Sequence, residues 1–311
     1  MIQLAVSTER LTKTYGRINA VQELNLRVPR GAIYGFLGRN GAGKTTTIKM
    51  LLGLARPSYG SARVLGMDTA TDRIAIFKRT AFVSEKKTLY PLLTPKELVR
   101  FSRGFYPTWD DAAVEKYSQL LEIPMTQRFD KLSNGNQTKI FLLLALAQGA
   151  DLLILDEPTA ALDPLTADEF LRVLAGSAME RGCTVFFSSH QLEEVERIAE
   201  FVGVMDHGRL LLESRLDDIK SEFRLIIAAG NSLPRQTSSQ VLSVVADGDC
   251  CRYFVTQDAE GFAAQLTRDG ATVTQVASLG LREIFLHMVR KEFPCTSGNA
   301  GATLVGSSSS F

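Results

Sequence analysis

The sequence predicts an α/β fold, in which buried parallel strands alternate with helices and carry polar groups at their carboxyl ends. Three observations support this class. A glycine-rich segment, residues 38–45, follows an apolar run, and two further apolar runs occupy residues 152–155 and 183–187. The first of these two runs ends in paired carboxylates, and the second ends in Ser-Ser-His. Short apolar runs are typical of strands buried on both faces, and polar groups at their carboxyl ends meet at one edge of the sheet.

The glycine-rich segment fits the phosphate-binding pattern G-x-x-x-x-G-K-[ST]. It lies between residues 32–37, which are predicted to form a strand, and residues 46–52, which are predicted to continue a helix from Lys44 to about residue 54. Glycines allow successive N–H groups to converge on phosphate oxygens, and the helix N-terminus adds partial positive charge. The agreement of motif and context disfavours the alternative, a glycine-rich turn with a chance Lys-Thr. The residues expected to bind a nucleotide here are Gly38, Asn40, Gly41, Ala42, Gly43, Lys44, Thr45 and Thr46.

Specific roles follow for the polar side chains around this segment. Lys44 is predicted to reach the β- and γ-phosphates, and the Thr45 hydroxyl is predicted to bind Mg²⁺. Asp156 is expected to hold Mg²⁺ directly or through water. Glu157, one residue further on, is expected to polarise a water molecule aimed at the γ-phosphate. The alternative for both carboxylates is to cap the following turn, and the phosphate loop upstream favours catalysis.

His190 follows the apolar run 183–187, so it is expected at the same edge of the sheet as Glu157. There it could hydrogen-bond the γ-phosphate and orient the Glu157 carboxylate. The alternative is a helix cap, because Ser189 and His190 precede residues 191–194, which resemble the start of a helix. The two roles are compatible with each other.

Several motifs in a fixed order resemble the ATP-binding subunit of an ATP-binding cassette (ABC) transporter. The subunit type is the single cassette that pairs with separate membrane subunits, and the resemblance covers about residues 4–220. It implies a P-loop NTPase core with an antiparallel β subdomain and a helical subdomain at about residues 86–133, with ATP and Mg²⁺ as ligands. The segments that carry the resemblance are Tyr15, 38–45, Glu85, 132–136, 152–157, 161–163 and His190.

The resemblance also implies roles for two residues outside the phosphate loop. Tyr15 matches the aromatic residue that stacks on adenine, and the alternative is a tyrosine packed on the face of the sheet. Glu85 takes the place of the usual glutamine, and its carboxylate can bind Mg²⁺ or a metal-bound water as an amide oxygen can. The loop after it, residues 86–93, is expected to report the nucleotide state to a membrane partner.

Residues 132–136, Leu-Ser-Asn-Gly-Asn, match the family signature Leu-Ser-Gly-Gly-Gln at three of five positions. The resemblance implies that Ser133 and Gly135 face the γ-phosphate held by the opposite subunit, so that Ser133 acts in trans. Asn134 replaces a glycine, and its tolerance of left-handed backbone angles is expected to preserve the turn. Asn136 replaces glutamine with a shorter amide. The alternative is a simple helix N-cap by Ser133 or Asn134.

Residues 161–163, Ala-Leu-Asp, match the loop through which two such subunits touch. The resemblance therefore implies a head-to-tail dimer with two ATP molecules between the halves, and Asp163 beside the nucleotide. The partner cassette is identical or different, giving a homodimer or a heterodimer. The alternative is an ordinary loop that leads into the next helix.

The rest of the chain gives further elements. Thr94, Pro95 and Glu97 predict a helix start with a capping box, and residues 106–110 separate that helix from another that ends near residue 121. Helices are also predicted at 134–148 and 166–180. Beyond residue 212, strands at 225–227, 241–245 and 253–255 and helices at 261–266 and 281–290 predict an accessory α/β domain. The resulting domains are 1–220 and 221–292, with a disordered tail at 293–311.

The composition limits the class of protein. Among 311 residues, 35 Lys and Arg balance 34 Asp and Glu, which gives no overall attraction to nucleic acid. The longest apolar run, residues 140–147, is far shorter than the roughly 18–20 residues of a membrane helix. Glu9 and Arg10 occupy the place of a signal peptide's apolar core. The chain is therefore expected to be cytoplasmic and to bind no nucleic acid.

The predicted function is an ATP-hydrolysing subunit that powers transport across a membrane, because nucleotide-driven closure of a dimer moves separate transmembrane permease subunits. The expected transporter is of the exporter type. Such a chain would be peripheral on the inner face of the cell membrane. One alternative is a soluble ABC ATPase acting on ribosomes or DNA, which the single phosphate loop and near-neutral charge disfavour. Another is a regulatory subunit with weak hydrolysis because of Asn134 and Asn136, which the retention of Glu157 and His190 disfavours.

Overall fold

The computed structural model of the protein describes residues 3–85, 90–230, 233–234, 238 and 240–292. The chain divides into two units, Met1–Glu222 and a second unit that begins at Phe223. The division lies close to the boundary expected at residue 220. The tail expected at 293–311 lies outside the described residues, and so do residues 86–89 of the loop expected at 86–93.

The first unit contains the strands and helices that build the site. Its strands are β1 (Leu4–Tyr15), β2 (Ile18–Leu24), β3 (Arg27–Pro29), β4 (Ile33–Gly38), β5 (Tyr59–Val64), β6 (Met67–Asp68), β7 (Thr80–Val83), β8 (Leu152–Asp156), β9 (Thr184–Ser189), β10 (Phe201–Asp206) and β11 (Arg209–Arg215). Its helices are α1 (Lys44–Leu51), α2 (Arg73–Arg79), α3 (Pro95–Arg103), α4 (Asp111–Leu120), α5 (Asn134–Ala147), α6 (Pro164–Arg181), α7 (Leu192–Ile198) and α8 (Leu216–Glu222).

The central sheet of the first unit has the strand order β11-β10-β4-β9-β8-β7. Its strands β10, β4, β9, β8 and β7 run parallel, and β11 joins the edge antiparallel to β10. Every residue of β4, β8 and β9 is buried, as their apolar runs predicted. The predicted parallel sheet is therefore confirmed, and it brings the ends of β4, β8 and β9 to one edge.

A second, antiparallel sheet has the order β2-β1-β5-β6, with β3 paired to β1. Side chains from this sheet and from the parallel sheet share one apolar core that includes Val6, Leu11, Phe36, Ile154 and Phe186. The rings of Phe36 and Phe186 lie 5.3 Å apart between centroids. The antiparallel subdomain implied by the resemblance is thus present, and it packs on the strand that leads into the phosphate loop.

Capping residues and glycine set the ends of two helices in the first unit. Thr94 and Glu97 form the predicted capping box at the start of α3, with Pro95 at its first position. Helix α1 ends at Leu51 rather than near residue 54, because Gly53 adopts a left-handed φ of 63° just beyond the helix. No helix in the described part of the chain has both the length and the hydropathy of a membrane span.

The second unit contains an antiparallel sheet with the order β13-β14-β12-β15. Its elements are β12 (Phe223–Ala229), β13 (Val241–Asp247), β14 (Cys250–Thr256), α9 (Ala259–Arg268), β15 (Thr272–Ser278) and α10 (Leu281–Glu292). Three of the strands and both helices overlap the predicted segments. Strand β15 has no counterpart among them, because it lies at the sheet edge and most of its residues are exposed, so it carries no apolar run.

Candidate functional site

The loop between β4 and α1 has a backbone that requires glycine at defined positions. Gly41 and Gly43 have φ values of 81° and 109°, in the region that residues with side chains rarely adopt. A Cβ atom at Gly43 would lie 2.3 Å from the carbonyl oxygen of Ala20, and one at Gly38 would lie 2.4 Å from that of Met205. The loop is therefore pressed against neighbouring backbone, which fixes the direction of its N–H groups.

Lys44, the first residue of α1, is almost fully buried beneath this loop, with an exposed fraction of 5%. Its Nζ donates to the carbonyl oxygen of Gly38 at 2.6 Å and to that of Arg39 at 3.3 Å. The same Nζ lies 2.9 Å from Glu157 Oε1. This last contact is an ion pair without hydrogen-bond alignment, so within the described residues Oε1 accepts no hydrogen bond. The ammonium group is thus held in place by the loop carbonyl groups and by Glu157, which is predicted to take part in catalysis.

Glu157 stands between Lys44 and His190. Its Oε2 lies 2.7 Å from His190 Nδ1, and its side chain is 9% exposed. A carboxylate can only accept, so in this contact Nδ1 donates. The backbone of Glu157 has a φ of 47°, an unusual value for a residue with a side chain. The structure therefore brings together the three residues predicted from this chain to take part in catalysis.

The alternative roles in local capping are not what the structure shows. Asp156 is buried and accepts a hydrogen bond from Ser188 at 2.7 Å, so it does not cap the following turn. Helix α7 begins at Leu192 with Gln191 at its N-cap and no side-chain cap bond. Neither Ser189 nor His190 caps this helix, because the Ser189 hydroxyl donates to Glu194 and accepts from the Gln191 N–H.

A cavity of about 530 Å³ lies over the loop, a size suited to a small-molecule ligand. Glu85, Glu157 and His190 line it. Ala20 and Ala160 also line it, although their small apolar side chains gave no chemical signal in the sequence. The predicted loop residues that line it are Asn40, Gly41, Gly43, Lys44, Thr45 and Thr46. Ala42 is buried and lines an adjacent cavity, and Gly38 ends the strand below.

The three predicted metal ligands share a second, smaller cavity. Thr45, Glu85 and Asp156 all line this space of about 230 Å³. Across the described residues, no group of three or more His, Cys, Asp or Glu side chains could hold a metal ion by itself. Hydroxyl and carboxylate oxygens fit Mg²⁺, which keeps waters and binds through one or two carboxylates together with substrate phosphates. The residues present therefore fit a magnesium ion that is completed by a nucleotide.

Tyr15 lies at the end of β1 and does not line the main cavity. It is 49% exposed, and Lys13 Nζ lies 4.9 Å from the centroid of its ring. The ring is not packed into the sheet, which was the alternative. An exposed aromatic face of this kind is open to stacking by a base.

The signature segment lies apart from the cavity formed by its own chain. Ser133 is the N-cap of α5, and its hydroxyl accepts from the Asn136 N–H at 3.2 Å. Asn134 is the first residue of the helix, so the left-handed conformation expected for it is wrong. The reason is that the helix begins immediately after Ser133. Asn134, which stands where the family signature has a glycine, therefore lies inside the first helical turn. Gly135 is also helical, and a Cβ atom there would be 3.6 Å from Thr166 Cγ2.

Asp163 is the N-cap of α6 and is a neighbour of the signature segment. Its carboxylate accepts from the Thr166 hydroxyl at 2.7 Å and from the N–H groups of Leu165 and Thr166 at 3.1 Å. Hydrogen bonds from Thr166 lower the pKa of Asp163. Since Thr166 is also beside Gly135, the structure groups Asp163 with the signature rather than with the phosphate loop.

Sequence reasoning missed Ser188 and Glu194. Ser188 is fully buried and bonds to Asp156, and Glu194 is a buried carboxylate bonded to Ser189. The available signal was the two serines that end an otherwise apolar strand. In a buried strand each such hydroxyl needs a partner, and alternation sends the two to opposite faces.

Comparisons with known proteins agree with this geometry. A family model described as ABC transporter matches residues 21–160. The bacitracin transport ATP-binding protein of Bacillus licheniformis is 37% identical over 70% of this chain and 72% of its own length. Its counterpart from Enterococcus faecalis is 31% identical over 89% and 92%. The daunorubicin/doxorubicin resistance ATP-binding protein of Streptomyces peucetius is 34% identical over 70% and 67%.

Solved structures give the same result. An ATP-binding subunit of an ABC transporter superposes with a TM-score of 0.62 at 28% identity, covering 70% of this chain and 92% of that one. A dimeric ATP-binding cassette in a post-hydrolysis state with ADP and phosphate gives a TM-score of 0.61 at 25% identity, covering 68% and 98%. The phosphate loop, Glu85, Asp156 and Glu157 lie within residues 21–160, which the family model matches. Together with relatives that are more than 30% identical over most of their own length, this shows that the chain belongs to the ABC transporter family as an ATP-binding ATPase subunit.

Proposed function

We propose that this chain hydrolyses ATP with Mg²⁺ at the cavity over the phosphate loop and thereby drives export through separate membrane subunits. The observation that carries the proposal is the contact of Glu157 with both Lys44 and His190 at the mouth of that loop. The proposed base therefore lies within hydrogen-bond reach of both a cation and an imidazole, and positioning of a base and stabilisation of phosphate charge are the main contributions a protein makes to phosphoryl transfer.

In this mechanism Glu157 accepts a proton from the attacking water, and His190 fixes the direction of its carboxylate. The hydrogen bond from Nδ1 to Oε2 leaves Oε1 as the oxygen that faces Lys44. Burial of both Lys44 and Glu157 strengthens their interaction relative to a pair in water. Lys44 and the loop N–H groups stabilise negative charge that develops on the phosphate oxygens.

Thr45, Glu85 and Asp156 would hold Mg²⁺ at the smaller cavity. When bound there, Mg²⁺ would supply positive charge that offsets the negative charge of the phosphates. Glu85 supplies a carboxylate where the family pattern has an amide, so it adds negative charge to the lining of both cavities. Asp156 is oriented by its hydrogen bond from Ser188.

Assembly follows from the placement of the remaining motifs. Ser133 and Asp163 lie on neighbouring helix starts outside the cavity of their own chain. We infer that they complete the site of a second cassette subunit in a head-to-tail dimer, identical or different. This arrangement is supported by the dimeric cassette in the structural comparison. The relatives named for bacitracin transport and drug resistance support an exporter with separate permease subunits, and a peripheral position on the inner face of the membrane.

Purification of the tagged full-length chain from detergent-solubilised membranes tests the assembly. We expect an integral membrane protein to co-purify in a fixed ratio, because the proposed motor acts on separate permease subunits. The same lysate is run on a sucrose gradient as the control for ribosome binding. Sedimentation with ribosomes together with no membrane protein in the purified fraction would contradict the proposal and favour the ribosome-associated alternative.

Tyr15→Ala is expected to weaken ATP binding by about 1–3 kcal/mol, because base stacking on an exposed ring is lost. Tyr15→Phe keeps the ring and should bind as the parent chain does. Tyr59→Ala removes a similarly exposed tyrosine and serves as the control. Calorimetry with ATP and with inorganic tripolyphosphate provides the measurement. Loss of affinity for both ligands to the same degree would argue against adenine stacking.

A further inference from the structure

We infer that Ser188 is a positioning residue that fixes the two carboxylates Asp156 and Glu157 relative to each other. The Ser188 hydroxyl donates to Asp156 Oδ1 at 2.7 Å and accepts from the Glu157 N–H at 3.0 Å. One buried oxygen therefore joins the proposed metal ligand to the proposed base. This inference rests on the proposed role of Glu157 in hydrolysis.

The strand pairing places Ser188 at this point. Strands β8 and β9 are parallel, and Ser188 of β9 is the register partner of Asp156, the last residue of β8. Ser188 has no exposed surface. Its hydroxyl is thus out of reach of bulk solvent, and the parallel register sets its two hydrogen bonds.

The chemistry of the two bonds requires a hydroxyl. Asp156 as a carboxylate can only accept, and the Glu157 N–H can only donate. A single group that donates to one and accepts from the other must be both donor and acceptor, which a serine hydroxyl is. Alanine at this position would leave a buried N–H and a buried carboxylate oxygen without these partners, which costs more than the lost bonds alone.

The backbone conformation of Glu157 makes the bond from its N–H to the Ser188 hydroxyl important. Its φ of 47° is in the left-handed region, which costs on the order of 1–3 kcal/mol for a residue with a side chain. Such a conformation persists only where surrounding contacts hold it, and the bond from the Glu157 N–H to Ser188 is one of these contacts. Without it, relaxation of the backbone would turn the carboxylate away from Lys44 and His190.

Ser189 has a different set of contacts, although it is the next residue and is equally buried. Its hydroxyl donates to Glu194 at 2.6 Å and accepts from the Gln191 N–H at 2.9 Å. Adjacent strand residues point to opposite faces. The pair of bonds to the Asp156 carboxylate and to the Glu157 N–H therefore belongs to Ser188 specifically and is not a general property of the Ser-Ser pair.

The test compares Ser188→Ala with Ser188→Thr in the full-length chain, by steady-state ATPase assay and by calorimetry with ATP. We expect Ser188→Ala to lower kcat about tenfold or more, because a misplaced base loses most of its contribution. Its KM and Kd for ATP should stay within about threefold, since the phosphate loop is untouched. Ser188→Thr keeps the hydroxyl and should keep kcat within about threefold of the parent chain.

Ser177→Ala is the matched control. Ser177 is a buried serine of α6 that does not line the main cavity. Its hydroxyl donates to the Leu174 carbonyl oxygen at 2.8 Å. It should retain parental kcat. A general effect of deleting a buried hydroxyl would lower kcat in Ser177→Ala as much as in Ser188→Ala, and that result would overturn the inference.

Glu157→Gln measured in parallel separates this inference from the proposed function. If Glu157→Gln is slow and Ser188→Ala turns over at the parental rate, only the role of Ser188 is overturned. If Glu157→Gln itself turns over at the parental rate, the proposed function fails. A Ser188→Thr variant as slow as Ser188→Ala, or an alanine variant that loses ATP affinity in proportion to kcat, also overturns the inference. The threonine variant keeps the test decisive if the alanine variant does not fold.

Discussion

Glu157→Gln is expected to bind ATP but to hydrolyse it at least about 10²-fold more slowly than the parent chain, because a positioned general base contributes about 10²–10⁴-fold. The substitution retains the shape of the side chain and one amide oxygen that can accept a hydrogen bond. It removes the negative charge and the ability to take a proton. The rate measured by steady-state ATPase assay therefore reports the base function rather than the packing of residue 157.

The same variant should accumulate as an ATP-bound dimer. If closure requires ATP between two subunits and reopening requires hydrolysis, a chain that binds without hydrolysing stays closed. Light scattering during size-exclusion chromatography with ATP and Mg²⁺ measures this state. The parent chain under the same conditions should elute mainly at the smaller mass, since it converts ATP to ADP.

Glu180→Gln provides the control for loss of one carboxylate. Glu180 lies on α6 and pairs with Lys116 at the surface, with 58% of its side chain exposed. An exposed pair of this kind contributes little, so both hydrolysis and dimer mass should match the parent chain. Turnover by Glu157→Gln at the parental rate would remove Glu157 from the mechanism and leave its contact with His190 without a catalytic meaning.

The phosphate loop could be predicted from sequence because its chemistry is local. The motif specifies where glycine must occur, and the structure shows why: Gly41 and Gly43 have left-handed φ values and Gly38 is pressed on the backbone of β10. Such requirements depend on neighbouring residues in the chain and on two close backbone approaches, of Gly38 to Met205 and of Gly43 to Ala20. They leave a pattern that can be read without knowing the rest of the fold.

The meeting of Glu157 and His190 could also be predicted, because parallel strands end at one edge of a sheet. The contact of Lys44 with Glu157 could not. It depends on how far the loop folds over the ammonium group, and the donor bonds from Lys44 to Gly38 and Arg39 are set by that loop. A motif names the lysine but does not give its partners.

Ser188 was missed for a similar reason. Its importance arises from strand register, which places it opposite Asp156, and the register between strands joined through a long helix is not visible in a single sequence. The wrong expectation at Asn134 has a different origin. A propensity for left-handed angles was applied to a residue that lies in a helical turn capped by Ser133. Local context of the cap decided its backbone, not the propensity of asparagine.

Lys44→Ala is expected to lower ATP affinity by about 10- to 100-fold, because hydrogen bonds to charged groups contribute about 1.5–3 kcal/mol. The ammonium group is buried beside the loop, where water cannot replace it as a partner for phosphate oxygens. Removal also leaves the buried Glu157 without its ion-pair partner, and breaking a buried pair destabilises a fold by about 3–5 kcal/mol. Calorimetry with ATP and thermal unfolding without it separate these two effects.

Lys44→Met keeps most of the aliphatic length and removes only the charge, so it maintains packing if the alanine variant unfolds. Lys116→Ala, at an exposed surface pair, is the control for loss of a lysine elsewhere and should bind ATP as the parent chain does. Because Lys44 is the cation shared between the loop carbonyls and Glu157, both variants at residue 44 should also lose hydrolysis. A folded Lys44→Met chain with unchanged ATP affinity would contradict the assignment of residues 38–45 as the phosphate site.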